Sequence, residues 1–182
     1  MLITDIRPQA ARPAGHTLSP FRVIEADTPE LRLACHRLRY RIYCLEQNFK
    51  PAAENPGGLE RDSHDDHAVQ ALVIHKKSGM AAATVRLILP RPSRTAAPLP
   101  FLSFCDTVDI LPRHGIAEIS RFGASRRFHH LVNDDSVTTD ALLACLMRGC
   151  VTLAAAHGIS YLCALLEPAL IRRVARLGVH FP

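Results

Sequence analysis

Two apolar runs of strand length, residues 68–75 and 81–89, are separated only by the short polar segment Lys76-Lys77-Ser78-Gly79. A connection this short can join antiparallel neighbours but not parallel ones, which need a crossover of a dozen residues or more. Glycine in the turn easily adopts a positive φ. The pattern therefore predicts a β-hairpin, and with it a sheet that is at least partly antiparallel.

Strands and helices are also predicted on both sides of this hairpin. Strands are predicted over residues 21–26, 116–122 and 159–166, and helices from Thr28 with Pro29 at its first position, over residues 138–157, and from Pro168 to about Leu177. Their order predicts an α/β (α+β) fold, in which helices flank a mixed central sheet. We expect one domain over residues 21–182, preceded by a flexible segment, residues 1–20. A last strand begins at Val179, and its end at Pro182 predicts that it is truncated.

The composition indicates a globular domain and limits the partners that it is expected to bind. With 182 residues, 48% hydrophobic and 21% charged, the chain has the content of a globular domain. Its net charge of +5 favours an acidic partner. Tryptophan is absent and aromatic residues make up 5%, which argues against a stacking platform for nucleic acid.

The cysteines and apolar segments bear on the compartment. None of the six cysteines forms a C-x-x-C pair, and most lie in apolar surroundings, which is typical of reduced thiols. The longest apolar stretch is interrupted by Arg148, well short of the ~20 residues that a spanning helix needs. We therefore expect a cytoplasmic protein that has no signal peptide and does not insert stably into a membrane.

Charged residues stand at positions where an ordinary core sequence would not place them. Arg86 interrupts one apolar strand, and Glu118 and Arg121 interrupt another. Positions 118 and 121 nominally face opposite sides of a strand, so a bulge or bend is needed to bring both to one site. The loop before the hairpin adds a cluster of acids at Glu60, Asp62 and Asp65. Each strand charge alone could be an edge-strand ion pair, but together they could neutralise one another across neighbouring strands.

These residues resemble the signature of acyl-homoserine lactone synthases. The resemblance runs from Arg39, Tyr43 and Phe49 through Glu60-x-Asp62-x-x-Asp65 and Arg86 to Glu118-x-x-Arg121. The phrase Leu-Arg-Tyr-Arg-Ile-Tyr-Cys-Leu-Glu-Gln-Asn-Phe is still more similar to acyltransferases of the PEP-CTERM/exosortase system, which are related to N-acyl amino acid synthases. The resemblance covers about residues 21–181 and implies an N-acetyltransferase-like fold.

The resemblance also implies a reaction, the transfer of a fatty acyl group from acyl-carrier protein to an amine. An attacking amine must be neutral, so a carboxylate is expected to accept its proton. Glu60 is the first candidate and Glu118 the alternative. Arg121 would join Arg39, Asp62, Asp65 and Arg86 in a charge network that holds a small amine acceptor, with Tyr43 and Phe49 beside it. Backbone N–H groups near residues 120–124 would stabilise the oxyanion.

Departures from the relatives bear on the donor and the acceptor. The lactone synthases have a tryptophan where this chain has Phe49, which disfavours S-adenosylmethionine and favours an amino acid as acceptor. Residues 121–126 do not form the usual N-acetyltransferase phosphate loop, so the expected donor is acyl-phosphopantetheine on an acidic carrier protein rather than acyl-CoA. Arg126 and Arg127 could contact its phosphate, although an ordinary solvated loop is the other reading.

Other functions remain open or are disfavoured at this stage. The alternatives are a lactone synthase that uses S-adenosylmethionine and a truncated, non-catalytic binding protein with the same fold. A metal site in His64-Asp65-Asp66-His67 is disfavoured, because adjacent ligands on one short segment rarely close a coordination shell. We expect no metal and no permanently bound cofactor.

Overall fold

The structure is a computed structural model that describes residues 2–5, 19–90, 99–100, 115–131 and 138–179. It contains a mixed sheet and four α-helices in this part of the chain. The strands are β1 (Leu2–Asp5), β2 (Phe21–Glu25), β3 (Ala68–His75), β4 (Ala81–Ile88), β5 (Ile116–Ala124) and β6 (Tyr161–Ala164). The helices are α1 (Pro29–Tyr40), α2 (Arg126–Leu131), α3 (Thr139–Ala156) and α4 (Pro168–Arg176).

The sheet has the strand order β1-β6-β5-β4-β3-β2. Strands β2 to β5 are antiparallel neighbours, β5 and β6 are parallel, and β1 is antiparallel to β6. The predicted hairpin is confirmed: β3 and β4 pair from Ala68↔Ile88 onward, and Gly79 in the connecting turn has φ +70°. The predicted mixed sheet flanked by helices is therefore confirmed.

The sheet has a different helix on each face. On one face, Ala71, Val73, Val85 and Leu87 alternate along β3 and β4 and pack in the core that includes residues of α3. On the other face, Leu72 and Ile74 pack against Leu38 of α1. Both faces of the central strands are thus covered, which explains why the two runs read as continuously apolar.

Helix α3 is the one helix in the described ranges that is long and apolar enough to cross a membrane by length and composition. Half of it is buried within the protein. Leu142, Leu146 and Cys150 on its buried side belong to the main core. Its apolar character is that of a core helix packed on the sheet.

Strands β5 and β6 separate after a short parallel pairing. The pairing runs from Ile116↔Tyr161 to Ile119↔Ala164, whereas β5 continues to Ala124 hydrogen-bonded to β4 alone. Within the described residues, no strand therefore pairs with residues 120–124 on the β6 side of β5. This opening forms one wall of the cavity described below.

Two predictions about local structure are wrong. Residues 2–5 are not part of a loose segment but form β1, whose backbone pairs antiparallel with β6 along an edge that would otherwise be open. Residues 6–18 of that segment lie outside the described residues. Arg126–Leu131 forms α2 rather than a basic loop, and its first N–H groups are capped by a glutamate from another segment.

The first helix is divided into two parts. Thr28 caps it as predicted, accepting a hydrogen bond from the N–H of Leu31. The α-helix ends at Tyr40, and Arg41–Glu46 continues as a π-helical segment. Such segments are frequent at functional sites. Most of residues 90–115 and the end of the strand predicted from Val179 lie outside the described residues.

Gly149 provides a test of the packing between α3 and β2. A Cβ atom added there would lie 2.7 Å and 2.9 Å from the two γ-methyl carbons of Val23. Gly149→Ala should lower the free energy of unfolding by about 1–2 kcal/mol, because overpacking outweighs the gain in helix propensity. Urea unfolding measures this change. Adding Val23→Ala should recover part of the loss, whereas an equal loss in both backgrounds would contradict the packing argument.

Candidate active site

Seven charged side chains form an ionic cluster beneath α1. They come from α1, from the segment between α1 and β3, and from β4 and β5. These residues are Arg39, Lys50, Glu60, Asp62, Asp65, Arg86 and Arg121. The structure therefore brings together the five residues of the predicted network, and it adds Glu60, predicted as the base, and Lys50.

Arg39 connects α1 to the acidic loop. Its Nε donates to Glu60 Oε2 at 2.6 Å, and its Nη1 donates to Asp65 Oδ1 at 2.6 Å and to Gln70 Oε1 at 3.2 Å. Arg39 is fully buried, so these acceptors replace its lost hydration. The loop is fixed to α1 as well by the backbone N–H of Glu60, which donates to the carbonyl of His36.

Arg86 connects the loop to the sheet. Its guanidinium donates to both carboxylate oxygens of Asp62 and, at 2.8 Å, to Asp65 Oδ1, while its Nε donates to Ser120 Oγ at 2.9 Å. The two acids are held in register by the loop itself, since the N–H of Asp62 donates to Asp65 Oδ2 at 2.8 Å. The positive charge of an arginine buried in an apolar strand is thus compensated by two carboxylates of the loop.

Arg121 reaches the cluster through a β-bulge. Between Arg86↔Ser120 and Thr84↔Gly123 the register shifts, so β5 contains one more residue than β4. Arg121 is in the left-handed region with φ +49°. The side chains of Ser120 and Arg121 both reach the cluster, because Arg121 Nη2 donates to Glu60 Oε1 at 2.8 Å and to Asp62 Oδ2 at 2.7 Å. The bulge or bend predicted from strand parity is confirmed.

The acids of the cluster stay ionised well below neutral pH. Burial alone would raise the pKa of Glu60, but hydrogen bonds from Arg121 and the charge of Arg39 outweigh it and lower the pKa to about 2. Asp65 is likewise opposed by burial, and its hydrogen bond from Arg39 lowers its pKa to about 2. For Asp62, the bond from Arg86 overcomes burial and again lowers the pKa.

These contacts argue against Glu60 as the catalytic base. Its side chain is 0% exposed, and its two oxygens accept hydrogen bonds from Arg39, Lys50 and Arg121. A carboxylate with a pKa near 2 has little affinity for an amine proton at neutral pH. Glu60 is instead the central anion of the cluster, and the base must be sought elsewhere.

A cavity of about 560 Å³ opens beside the cluster where β5 leaves β6. One wall is the strand from Glu118 to Ala124, including Arg121. The opposite side is mostly apolar and is formed by α3, α4 and the segment between β6 and α4, with Thr139, Glu167 and Arg173 as its polar residues. Its apolar lining residues are Leu142, Leu143, Leu146, Leu165, Leu166 and Leu170. The cavity thus joins an apolar pocket to the edge of the ionic cluster.

Tyr43 and Phe49 line the same cavity. Their ring centroids are 6.4 Å apart, and the guanidinium carbon of Arg121 lies 5.7 Å from the Tyr43 ring centre. Phe49 is 62% exposed, unusual for so large an apolar side chain. Both residues predicted to lie beside the acceptor are therefore on the cavity wall.

The turn after β5 is held by Glu46. Its carboxylate accepts hydrogen bonds from Ser125 Oγ at 2.7 Å and from the backbone N–H of Arg126 at 2.6 Å. The N–H of Arg127 donates to the same group at 3.4 Å. These backbone donors are therefore occupied. The predicted phosphate contact is left to the exposed side chains of Arg127 and of Arg126, whose Nη1 also donates to the Glu46 carbonyl at 3.4 Å.

Three residues of this region were missed by sequence reasoning. Gln70 is a polar residue in an apolar strand and pairs in register with Arg86, so the signal that identified Arg86 could have found it. Glu46 is the last residue of the π-helical segment. A negative charge is unfavourable at the C-terminal end of a helix dipole, so a carboxylate there suggests a stabilising partner elsewhere in the chain. Lys50 carries no comparable signal in the sequence.

Within the described ranges, no group of three or more His, Cys, Asp or Glu side chains is placed to hold a metal ion. Asp65 of the segment weighed as a metal site is bonded to Arg39 and Arg86 instead. Five of the six cysteines lie in the described part, and all five are buried free thiols.

The fold and the cavity agree with the comparisons of the chain with known proteins. The family model for the acetyltransferase (GNAT) domain matches residues 38–133, from α1 through α2. The chain belongs to the GNAT acetyltransferase family. No curated protein matches it significantly. For this GNAT protein the predicted acyltransferase class is thereby established at the level of the family.

Several solved structures share this GNAT fold. TofI in its apo form is 27% identical with a TM-score of 0.57, over 88% of this chain and 78% of TofI. The CoA-dependent acyl-homoserine lactone synthase BjaI, with SAM and isopentyl-CoA, is 24% identical with a TM-score of 0.58, over 87% of this chain and 71% of BjaI. The AHL synthase LasI is 17% identical with a TM-score of 0.62, over 89% and 80%.

Glu60→Gln tests whether this residue is structural. Losing the central anion leaves buried cations unpaired, which should lower the free energy of unfolding by about 3–5 kcal/mol at pH 7. The native protein should itself lose stability as the pH falls from about 4.5 toward 2, because protons bind the unfolded carboxylates first. Urea unfolding at several pH values measures both effects.

Asp66→Asn serves as the matched control, because Asp66 is exposed and lies outside the cluster. It should leave stability at pH 7 nearly unchanged. A Glu60→Gln protein as stable as Asp66→Asn, with the same loss of stability in acid, would contradict the structural role.

Proposed function

We propose that the protein is an N-acyltransferase that moves a fatty acyl group from an acyl-carrier-protein thioester to the amine of an amino acid or similar small acceptor. The observation that carries this proposal is the cavity, whose apolar end is built by leucines and whose polar end borders the ionic cluster. An alkyl chain fits the apolar end of the cavity, and a small polar acceptor fits the polar end. The family supplies the general reaction, acyl transfer.

Glu118 is the base in this proposal. Two carboxylates line the cavity, Glu118 on β5 and Glu167 on the opposite side. Glu118 is buried and belongs to the same strand as Arg121, whereas Glu167 is exposed. A carboxylate on the cavity wall can take the proton of an attacking amine, directly or through one water.

The open edge of β5 supports the acyl group. Residues 120–124 pair with β4 on one side only, so backbone N–H groups on the other side are available to a bound thioester. Such donors stabilise the negative charge that develops on the carbonyl oxygen. This is the role predicted for the same residues from the sequence.

The acceptor end favours a carboxylate-bearing amine. Four cations of the cluster face three carboxylates, and Lys50 has 37% of its side chain exposed. Arg121 lies on the cavity wall beside it. An amino acid could place its carboxylate near these two cations and its amine toward Glu118.

A lactone synthase that uses S-adenosylmethionine is the second candidate, favoured by the fold shared with BjaI and LasI. Phe49, in place of the tryptophan expected of those enzymes, supports the amino-acid acceptor instead. The resemblance to PEP-CTERM/exosortase acyltransferases supports the same choice. We place the enzyme in the cytoplasm, where its thiols stay reduced and carrier proteins are found.

Product analysis separates these candidates. The protein is incubated with octanoyl-carrier protein and either a pool of amino acids or S-adenosylmethionine, and N-acyl products and free carrier thiol are measured by mass spectrometry. N-acyl amino acids support the proposal, and acyl-homoserine lactone supports the second candidate. Carrier binding without either product would support a non-catalytic binding protein.

Glu118→Gln should lower kcat at least about 10²-fold, because it removes the proton acceptor while keeping the shape of the side chain. The acidic limb of the pH profile of kcat should disappear with it. Glu167→Gln is the matched control in the same cavity and should retain most activity. Near-native turnover of Glu118→Gln would exclude it as the base.

Arg127→Glu tests docking of an acidic carrier protein. Arg127 is exposed on α2, next to Arg126 on the cavity wall. Charge reversal should lower kcat/KM for the acyl-carrier protein roughly tenfold at low salt, mainly through slower association. Octanoyl-pantetheine, which lacks the protein, should react unchanged, and Lys77→Glu in the exposed hairpin turn should have little effect. Equal losses with both donors would argue against a docking role.

A further inference from the structure

The hydroxyl group of Tyr43 is a polar group of the cavity wall that the proposed reaction has not yet used. Tyr43 belongs to the π-helical segment, and its ring is held between Arg121 and Phe49. Across the described ranges its hydroxyl has no hydrogen-bond partner. The neighbouring polar side chains differ in this respect, since Arg121, Glu60 and Ser120 are all bonded within the protein.

The hydroxyl faces the open part of β5. A Cβ atom added to Gly123 would lie 3.0 Å from this oxygen and 3.1 Å from Cγ2 of Ile42. Only glycine therefore lets the strand approach the hydroxyl so closely. Gly123 lies among the residues of β5 that pair with no described strand on the β6 side, where the thioester is proposed to bind.

We propose that the Tyr43 hydroxyl donates a hydrogen bond to the carbonyl oxygen of the thioester donor, as a second donor beside the backbone of β5. This inference rests on the proposed acyl transfer and adds a catalytic residue to it. A partly buried hydroxyl without a protein partner needs an acceptor from outside the chain, and the carbonyl oxygen of a bound thioester can be that acceptor.

The role is that of a donor and not of an acid. Burial, only partly opposed by the charge of Arg121, raises the pKa of Tyr43 to about 12, so the phenol keeps its proton at neutral pH. When the amine forms the C–N bond, the carbonyl π electrons move to the oxygen, where Tyr43 stabilises the charge. Glu118 takes the amine proton. The C=O bond then re-forms, the C–S bond breaks with its electron pair on sulfur, and solvent protonates the thiolate.

Infrared spectroscopy tests the hydrogen bond without turnover. Octanoyl-pantetheine labelled with ¹³C at the carbonyl carbon is bound to the protein in the absence of acceptor, and its carbonyl stretch is measured in the native protein, Tyr43→Phe and Tyr40→Phe. The stretch should lie at higher frequency in Tyr43→Phe than in the other two. Tyr40 is the matched control, because its ring contacts Gly58 rather than the cavity.

Kinetics and stability complete the test. Tyr43→Phe should lower kcat about 10²-fold with little change in KM for the donor, as expected for the loss of one oxyanion donor. Its melting temperature should not fall, because no protein contact of the hydroxyl is lost. Equal carbonyl frequencies in the native protein and Tyr43→Phe, with the thioester bound, would overturn the role of Tyr43 and leave the acyltransferase proposal intact. Failure of the native protein to bind the thioester would overturn both.

Discussion

The compensation of buried charge is the constraint on which this structure depends. Arg39 and Arg86 lie almost fully inside the protein, and an unpaired guanidinium there would cost several kcal/mol. The acidic loop before β3 compensates both charges, because Asp65 accepts hydrogen bonds from Arg39 and from Arg86. The cluster thereby fastens α1, the loop and the sheet to one another at the side of the cavity.

Strand β5 connects that cluster to the cavity. Its bulge turns Arg121 toward Glu60, and its separation from β6 leaves the following backbone open on one edge. Both features occur within five residues, 120–124. The same short stretch therefore anchors the ionic cluster and offers hydrogen-bond donors to a substrate, so a change in the bulge would alter structure and chemistry together.

Much of this could be predicted from the sequence, and the failures have physical reasons. The hairpin, the bulge near Arg121 and the meeting of the strand arginines with the acidic loop followed from apolar periodicity, strand parity and the cost of unpaired charge. The place of Arg39 in the network was implied by the family resemblance alone. The edge strand of residues 2–5 was missed because four residues carry little periodic signal and depend on β6 for pairing. The role of Glu60 was misjudged because a pattern shows that a carboxylate is present but not how many donors surround it.

Their positions relative to the cavity separate the two glutamates at the polar end of the site. Glu60 accepts hydrogen bonds from three cations, which keep it ionised. It therefore stabilises the cluster but is unsuitable for accepting a proton. Glu118 lies on the cavity wall, within reach of the amine of the proposed acceptor. The cluster also has one more cation than it has carboxylates, and Lys50 extends it toward solvent. A carboxylate-bearing acceptor would complete that balance, so binding of the acceptor should also stabilise the fold.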